Sequence, residues 1–88
     1  MGGFMKGFER IGVVSHLSFS SGNLILKAEW EPKIGEPVYD WKKRKIGRVF
    51  DLFGPVASPF ISVHPTVENP ERYVGKPLYV KANKRLGK

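Results

Sequence analysis

The most informative stretch of this 88-residue chain is residues 45–60, which read Lys-Ile-Gly-Arg-Val-Phe-Asp-Leu-Phe-Gly-Pro-Val-Ala-Ser-Pro-Phe. The first nine of them, Lys45–Phe53, are rich in β-branched and aromatic side chains and run into Gly-Pro, which is the pattern of a long strand followed by a turn. Ten glycines and seven prolines along the chain also disfavour long helices. These features predict an all-β fold.

Five other short apolar segments, each bounded by glycine, proline or a polar turn, indicate further strands around this central one. Their number and spacing predict a small six-stranded antiparallel β-barrel. Residues 69–75 begin with Asn-Pro and end with Gly, which predicts at most one short helical turn, and Tyr73 and Val74 are expected to close one end of the barrel there. The predicted strands are Arg10–Leu17, Asn23–Glu29, Val38–Tyr39, Lys45–Phe53, Ser58–His64 and Leu78–Lys81.

Length and composition bound the remaining possibilities. Eighty-eight residues form one domain, which we place at residues 9–81, between a flexible N-terminal segment (1–8) and a basic C-terminal tail (82–88). The absence of cysteine excludes disulfides, thiolate nucleophiles and cysteine-ligated metal sites. No apolar run reaches the roughly 18 residues of a membrane span and no signal-peptide segment occurs, so we expect a soluble intracellular domain.

The side chains that usually carry catalysis are dispersed along the sequence. His16 and His64 lie in different predicted strands, and Ser15 is expected to point away from His16 because neighbouring strand residues face opposite sides. The carboxylates form no pair, and no phosphate-binding loop or nucleophile motif occurs. We therefore predict a protein that is not an enzyme and that uses no metal or cofactor.

Residues 45–53 carry apolar side chains on both faces of the predicted strand. Strict alternation places the even-numbered residues on one face and the odd-numbered residues on the other, and each set contains large apolar groups. Because a small barrel buries only its inner face, one set must pack under a loop or against a partner. The two sets are Ile46, Arg48, Phe50 and Leu52, and Gly47, Val49, Asp51 and Phe53.

The loop that follows, residues 54–59, is stiff and unusually apolar. Its glycine permits unusual backbone angles, its two prolines restrict the chain, and Phe53 and Phe60 flank it. It is either a connection that plugs its own barrel or a preorganised contact surface for another protein, and the clustering of proline and aromatic residues favours the second interpretation. The Asp51 carboxylate is expected to accept backbone N–H groups rather than to take part in chemistry.

The formal net charge is +7, and the basic residues are concentrated in two places. Residues 42–48 hold five of the fifteen and residues 81–88 hold four, whereas the other six face all eight acidic residues. For residues 42–48, attraction of RNA phosphates and a merely solvated turn both stay open as interpretations. For the tail, a solubilising terminus is favoured. The candidate RNA contacts are Lys42, Lys43, Arg44 and Lys45.

Residues 47–60 resemble the signature G-x-V-x-D-x-F-G-P-V-x-x-P-[YF] of the GAR-domain protein of box H/ACA ribonucleoproteins, in its archaeal form. The flanks are similar as well, with Arg-Ile-Gly-Val-Val at residues 10–14 and Asn-Pro-Glu-Arg-Tyr-Val-Gly at residues 69–75. The resemblance extends over about residues 9–81. Eukaryotic members carry long Gly/Arg-rich tails, whereas this sequence has a short Gly-Gly-Phe and a Lys-rich end, so RNA binding through such tails is not implied.

The resemblance implies a barrel like the second domain of translation elongation factors. It also implies a non-catalytic subunit that docks on the dyskerin-like pseudouridine synthase and assists substrate loading and product release in the pseudouridylation of ribosomal RNA. The guide RNA, a small Nop-type subunit and a kink-turn-binding protein would be co-members of the particle, which would be cytoplasmic and have no membrane partner. The implied partner-binding positions are Val49, Asp51, Phe53, Gly54, Pro55, Val56, Pro59 and Phe60.

An alternative function is an autonomous barrel that binds RNA or assists ribosome maturation through the basic segment Lys42–Arg48. Binding of free guide RNA without the synthase, with a steep dependence on salt, would distinguish this alternative from protein docking.

Overall fold

A computed structural model describes residues 6–82 and contains six antiparallel strands that form a closed barrel in the order β1-β2-β5-β4-β3-β6. Within this range, one 3-10 helical turn, Pro70–Tyr73, accompanies the strands. The predicted fold class is therefore confirmed, including the limit of one short helical turn. The strands are β1 (Phe8–Leu17), β2 (Leu24–Lys27), β3 (Pro37–Tyr39), β4 (Lys45–Phe53), β5 (Phe60–Pro65) and β6 (Pro77–Lys81).

The first and last residues of the barrel lie close to the domain boundaries expected from the sequence. Strand β1 begins at Phe8, one residue before the expected start, and the Ala82 N–H donates a hydrogen bond to the Gly7 carbonyl at 2.8 Å. Ala82 is thus tied to the barrel rather than free of it. Most of the expected N-terminal segment and of the expected basic tail lies outside the described residues. No helix within residues 6–82 has the length and apolar character that crossing a membrane requires.

The inner face of the barrel holds one apolar core to which every strand contributes. Tyr73 extends this core from the helical turn and is 5% exposed, as predicted. Val74 was expected to share that role, but it is 41% exposed, because the chain leaves the helical turn at Val74 in an extended conformation. The core residues are Ile11, Val14, Leu24, Leu26, Val38, Ile46, Val49, Ile61, Val63, Tyr73, Leu78 and Val80.

Two irregularities in β4 change which side chains point inward. The register with β3 shifts between Val38 and Tyr39, and the register with β5 shifts between Val49 and Asp51. Each shift is a bulge that reverses the alternation. Strict alternation was therefore the wrong description of this strand. The buried residues are Ile46 and Val49, Leu52 packs against the core, and Phe50 and Phe53 remain 62% and 44% exposed.

Gly47 lies at a close approach between the backbones of β4 and β5. A Cβ atom at this position would overlap the His64 carbonyl oxygen and would lie 3.1 Å from the Pro65 Cα. Because both obstacles are backbone, no rotamer change could relieve the overlap. The glycine at the start of the motif therefore permits the backbone contact that brings the β4–β5 hairpin against the barrel.

Candidate functional site

The β4–β5 loop projects away from the barrel. Its tip is a tight turn in which the Ser58 N–H donates to the Pro55 carbonyl at 3.1 Å, and Val56 at this tip is 96% exposed. The Ala28 N–H donates to the Pro59 carbonyl at 3.0 Å, which fixes the other side of the loop to the end of β2. The loop therefore does not plug its own barrel, and its central apolar side chain is free to contact another molecule.

The base of the loop is closed by two stacked phenylalanines. The rings of Phe53 and Phe60 lie 5.6 Å apart at an interplanar angle of 25°. Gly54 between them has a φ of 95°, and the Phe60 ring lies 3.0 Å from where its Cβ would be, so both the backbone angle and the packing require glycine. The stacked rings and Gly54 thus pack closely at the base of the loop.

The Asp51 carboxylate accepts a backbone hydrogen bond at the bulge of β4. Its Oδ1 accepts the Leu52 N–H at 2.8 Å, as the sequence predicted for a backbone acceptor, although the bond is at the bulge and not in the loop. The eight predicted partner-binding residues thus differ in position. Val49 lies in the core beneath the surface, Pro59 and Phe60 are half-buried, and the exposed members are Asp51, Phe53, Gly54, Pro55 and Val56.

A second hairpin tip contributes apolar side chains that sequence reasoning missed. Phe19, in the serine-rich β1–β2 turn, is fully exposed, and a groove of about 490 Å³ separates it from Phe53 and Phe60. Ile25 forms the floor of this groove; it is buried but lies outside the inner core. The sequence feature that could have revealed Phe19 is its position as the one aromatic residue among the serines and glycine of residues 18–22. We call Phe19, Ile25, Phe50, Phe53, Val56 and Phe60 together the apolar surface.

The β1–β2 turn is held against β5 by Asn23. The Asn23 Nδ2 donates to the Ser62 Oγ at 3.0 Å, and its Oδ1 lies 3.3 Å from the Nδ1 of His64. Asn23 and Ser62 are both buried, so this contact is shielded from solvent. It fixes the position of the turn that carries Phe19.

Ser15 and His16 are in contact, contrary to the sequence expectation. The Ser15 Oγ lies 2.9 Å from the His16 Nδ1. The cause is a register shift between Val14 and His16 in the pairing of β1 with β2, which removes the strict alternation on which the expectation relied. Both side chains are exposed, and within residues 6–82 no cluster of His, Asp and Glu that could hold a metal ion occurs.

The basic turn between β3 and β4 is organised by a buried carboxylate. Asp40 is 1% exposed and accepts hydrogen bonds from the backbone N–H groups of Lys42 and Arg44 and from the Tyr73 hydroxyl, at 2.9, 3.0 and 2.9 Å. Burial acts to raise the pKa of Asp40, but the three hydrogen bonds and the Arg44 charge outweigh it and hold the pKa below its usual value. Burial and the hydrogen bond to Asp40 raise the pKa of Tyr73.

The four predicted RNA contacts are all exposed but do not point at one site. Lys43 takes a φ of 66° and places its Nζ 5.7 Å from the centre of the Phe8 ring. The Arg44 Nε lies 3.8 Å from an oxygen of Asp40, and Arg44 and Lys45 line a separate cleft that also contains Arg72. The turn therefore divides its charge between two sides of the molecule. Lys42, which precedes these residues in the chain, donates its backbone N–H to Asp40.

A closed barrel with an apolar surface on its outer wall, formed by side chains of β2, β4, β5 and two hairpin loops, has the architecture of a small binding module. The chain belongs to the Gar1/Naf1 family, because the family model described as the Gar1/Naf1 RNA binding region matches residues 8–88. The matched range covers the whole barrel. The family's description names RNA binding and no reaction.

Two archaeal proteins are similar to this chain. One, an uncharacterised protein of Methanothermobacter thermautotrophicus, is 38% identical over 74 residues, which cover 80% of this chain and 79% of the relative. The other, an uncharacterised protein of Methanocaldococcus jannaschii, is 43% identical over 63 residues, which cover 72% of this chain and 74% of the relative. Both similarities extend over most of a barrel-sized domain.

Proposed function

We propose that this protein is a non-catalytic subunit of an archaeal H/ACA ribonucleoprotein and that it docks on the catalytic pseudouridine synthase through the apolar surface. The observation that carries the proposal is the exposure of Val56 and Phe19 in two hairpin loops at opposite ends of β2 and β5, with the groove lined by Ile25, Phe53 and Phe60 between them. Membership of the Gar1/Naf1 family and the motif at residues 47–60 support the choice of partner.

The chemistry of the apolar surface favours a protein partner there. The groove beside Phe53 is lined by serine, histidine, isoleucine and phenylalanine side chains, and no lysine or arginine is among the described residues that line it. Phosphates would find no cation in the groove, whereas an apolar side chain of a partner would find aromatic walls. The stacked Phe53–Phe60 pair and the fixed loop would lose little conformational entropy on binding.

In this role the subunit would act on the reaction indirectly. By holding a segment of the synthase it would favour loading of substrate RNA and release of the modified product in the pseudouridylation of ribosomal RNA. The chemical step itself would belong to the synthase, since this family's description contains no reaction. We therefore expect its removal to slow repeated turnover more than a single turnover.

Replacement of Val56 by aspartate tests the proposed docking. The new carboxylate would be buried without a partner in the interface, which we expect to weaken synthase binding by roughly 3 kcal/mol or more, over 100-fold in Kd. Ile34→Asp is the matched control, because Ile34 is also an exposed aliphatic residue in a loop, at 63% exposure, but lies outside the apolar surface. The measurements are pull-down by the purified synthase and thermal unfolding of each free variant.

We expect both variants to keep the wild-type unfolding temperature within a few degrees, because neither side chain contributes to the core. Only Val56→Asp should lose synthase binding and lower multiple-turnover pseudouridylation to the level of a complex without this subunit. Wild-type binding by folded Val56→Asp would place the interface elsewhere, and equal losses in the two variants would contradict a localised surface.

The alternative, an autonomous RNA-binding or ribosome-maturation barrel acting through Lys42–Arg48, receives less support from the geometry. Lys43 and Arg44 point to different sides of the turn, and the Arg48 Nη1 donates to the Gly35 carbonyl at 3.2 Å. These cations do not line one groove along which a phosphate backbone could run.

A further inference from the structure

The outer face of β1, β3 and β6 combines aromatic rings with lysines. The Nζ atoms of Lys43, Lys76 and Lys81 lie 5.7, 5.7 and 5.5 Å from the ring centres of Phe8, Trp41 and Tyr39 in turn. Phe8 packs edge to face on Tyr39 with centroids 5.4 Å apart, whereas Trp41 packs on Tyr73 with centroids 5.7 Å apart, so the surface consists of two ring–lysine groups. We call Phe8, Tyr39, Trp41, Lys43, Lys76 and Lys81 the basic–aromatic surface.

The three lysines of this surface keep their charge available. Among residues 6–82 the ion pairs are Arg10–Glu29 and Arg44–Asp40, so no carboxylate in the described part of the chain neutralises these lysines. The nearest buried acid, Asp40, is already satisfied by three hydrogen bonds. Unpaired cations beside aromatic rings attract anions and present flat apolar faces at the same place.

The basic–aromatic surface and the apolar surface are on opposite sides of the barrel. In the ring order β1-β2-β5-β4-β3-β6, strand β3 is opposite β2 and β6 is opposite β5. The strand residues of the apolar surface belong to β2, β5 and β4, which are consecutive in the ring, whereas those of the basic–aromatic surface belong to β3, β6 and β1 on the other half. A ligand on one surface would leave the other accessible.

We propose that the basic–aromatic surface binds single-stranded RNA. Proteins that bind single strands combine cations for the phosphates with aromatic rings on which bases stack, and both are present here within contact of each other. Trp41, at 40% exposure, offers the largest accessible ring, and Lys76 above it can move to a neighbouring phosphate when a base stacks. A partner recognised by charge alone, such as an acidic peptide, would not need the rings.

This site differs from the segment Lys42–Arg48 considered from the sequence. Of that segment's basic residues only Lys43 belongs to it, and Lys76 and Lys81 come from the other end of the chain. The family description names RNA but assigns no residues, and the proposal assigns them. It does not depend on docking to the synthase, since it uses different residues on the opposite side.

Fluorescence anisotropy with a labelled single-stranded RNA of mixed sequence, about 12 nucleotides long, tests the proposal on the full chain. We expect Trp41→Leu to weaken binding at least fivefold, roughly the loss of one stacked base. Trp30→Leu is the matched control, because Trp30 is 41% exposed but lies outside the surface, and it should change Kd by less than about twofold. Thermal unfolding of both variants checks that they fold.

The contribution of the lysine charges is tested by comparing two double variants. Lys76→Gln/Lys81→Gln removes two charges from the basic–aromatic surface, and Lys27→Gln/Lys33→Gln removes two charges from outside it. The first pair should lower the slope of log Kd against log salt by about 1.4, or 0.7 per lost phosphate contact, and the second should lower it less. The lysine pair also keeps the test valid if Trp41→Leu does not fold, because these side chains are exposed.

Three results would overturn the proposal. The first is that the two lysine double variants bind the single-stranded RNA with equal affinity and that Trp41→Leu and Trp30→Leu do so as well. The second is competition by polyglutamate as strong as by unlabelled RNA, which would indicate binding by charge alone. The third is full loss of binding on removal of residues 83–88 with no effect of the surface variants.

Discussion

Asp40 is the residue that joins the basic turn to the helical turn at the end of the barrel. Its carboxylate accepts hydrogen bonds from the turn backbone and from the Tyr73 hydroxyl, and its pKa lies below the usual value. A depressed pKa in the folded state contributes stability that is present above the unfolded pKa, near 3.9, and is lost as the pH falls through the folded pKa. The residue is thus a source of acid sensitivity.

Tyr73→Phe should lower the free energy of unfolding at pH 7 by about 2 kcal/mol, because it removes a hydrogen bond to a buried charged group. The difference from wild type should shrink as the pH falls through the folded-state pKa of Asp40, which lies below the ordinary value of an aspartate, because the hydrogen bond to a charged carboxylate is then lost in the wild type as well. Urea unfolding across this pH range measures both effects. Tyr39→Phe is the control, since Tyr39 packs by its ring on Phe8; a similar loss in both variants would contradict the role given to Asp40.

At the scale of the element, β4 depends on a close backbone approach. We expect Gly47→Ala to lower the free energy of unfolding by about 2 kcal/mol or more, because the added methyl group overlaps the His64 carbonyl and the two strands must separate. Gly22→Ala serves as control: Gly22 has a φ of 77° but open space around it, so only backbone strain of about 1 kcal/mol applies. Equal losses in the two variants would show that β4 and β5 adjust easily.

Strand β4 also shows which structural features could be predicted from the sequence and which could not. Residue composition predicted the bounds of β4, because strand propensity and turn signals are local. The two bulges of β4 depend on which residues of the neighbouring strands pair with it. Strict alternation therefore put Ile46 and Phe50 on the same face, whereas Ile46 is buried and Phe50 is exposed. The loop with Val56 was recognisable because proline and aromatic residues are adjacent in the chain.

Contacts between segments that are distant in the chain were not predicted, because they too depend on which strands pair in the barrel. Phe19 joins the apolar surface only because the β1–β2 turn is held beside β5. Lys76 and Lys81 meet aromatic rings of β3 and its following turn, and that proximity is created by barrel closure. The charge clusters of the linear sequence pointed to residues 42–48, whereas the lysines of the basic–aromatic surface come from that segment and from residues 76–81.

At the scale of the whole molecule, the two opposed surfaces should act independently. The double variant Val56→Asp/Trp41→Leu is expected to lose synthase binding to the same extent as Val56→Asp and RNA binding to the same extent as Trp41→Leu, within about twofold, because distant sites without shared contacts are additive. Pull-down and anisotropy on the same preparations measure this. Coupling larger than about fivefold would mean that the surfaces communicate through the barrel.

Closure of the strand ring determines how any partner can be recognised. In the described residues each strand pairs with a neighbour on both sides, so no whole strand is left as a free edge, although residues 50–53 of β4 extend beyond their pairing with β3. Recognition by backbone pairing, which tolerates many sequences, is thereby blocked along most of the barrel wall. Selectivity must come from side chains at the hairpin tips and on the outer faces, and the same closure protects the protein from edge-to-edge polymerisation when it is made in excess of its partners.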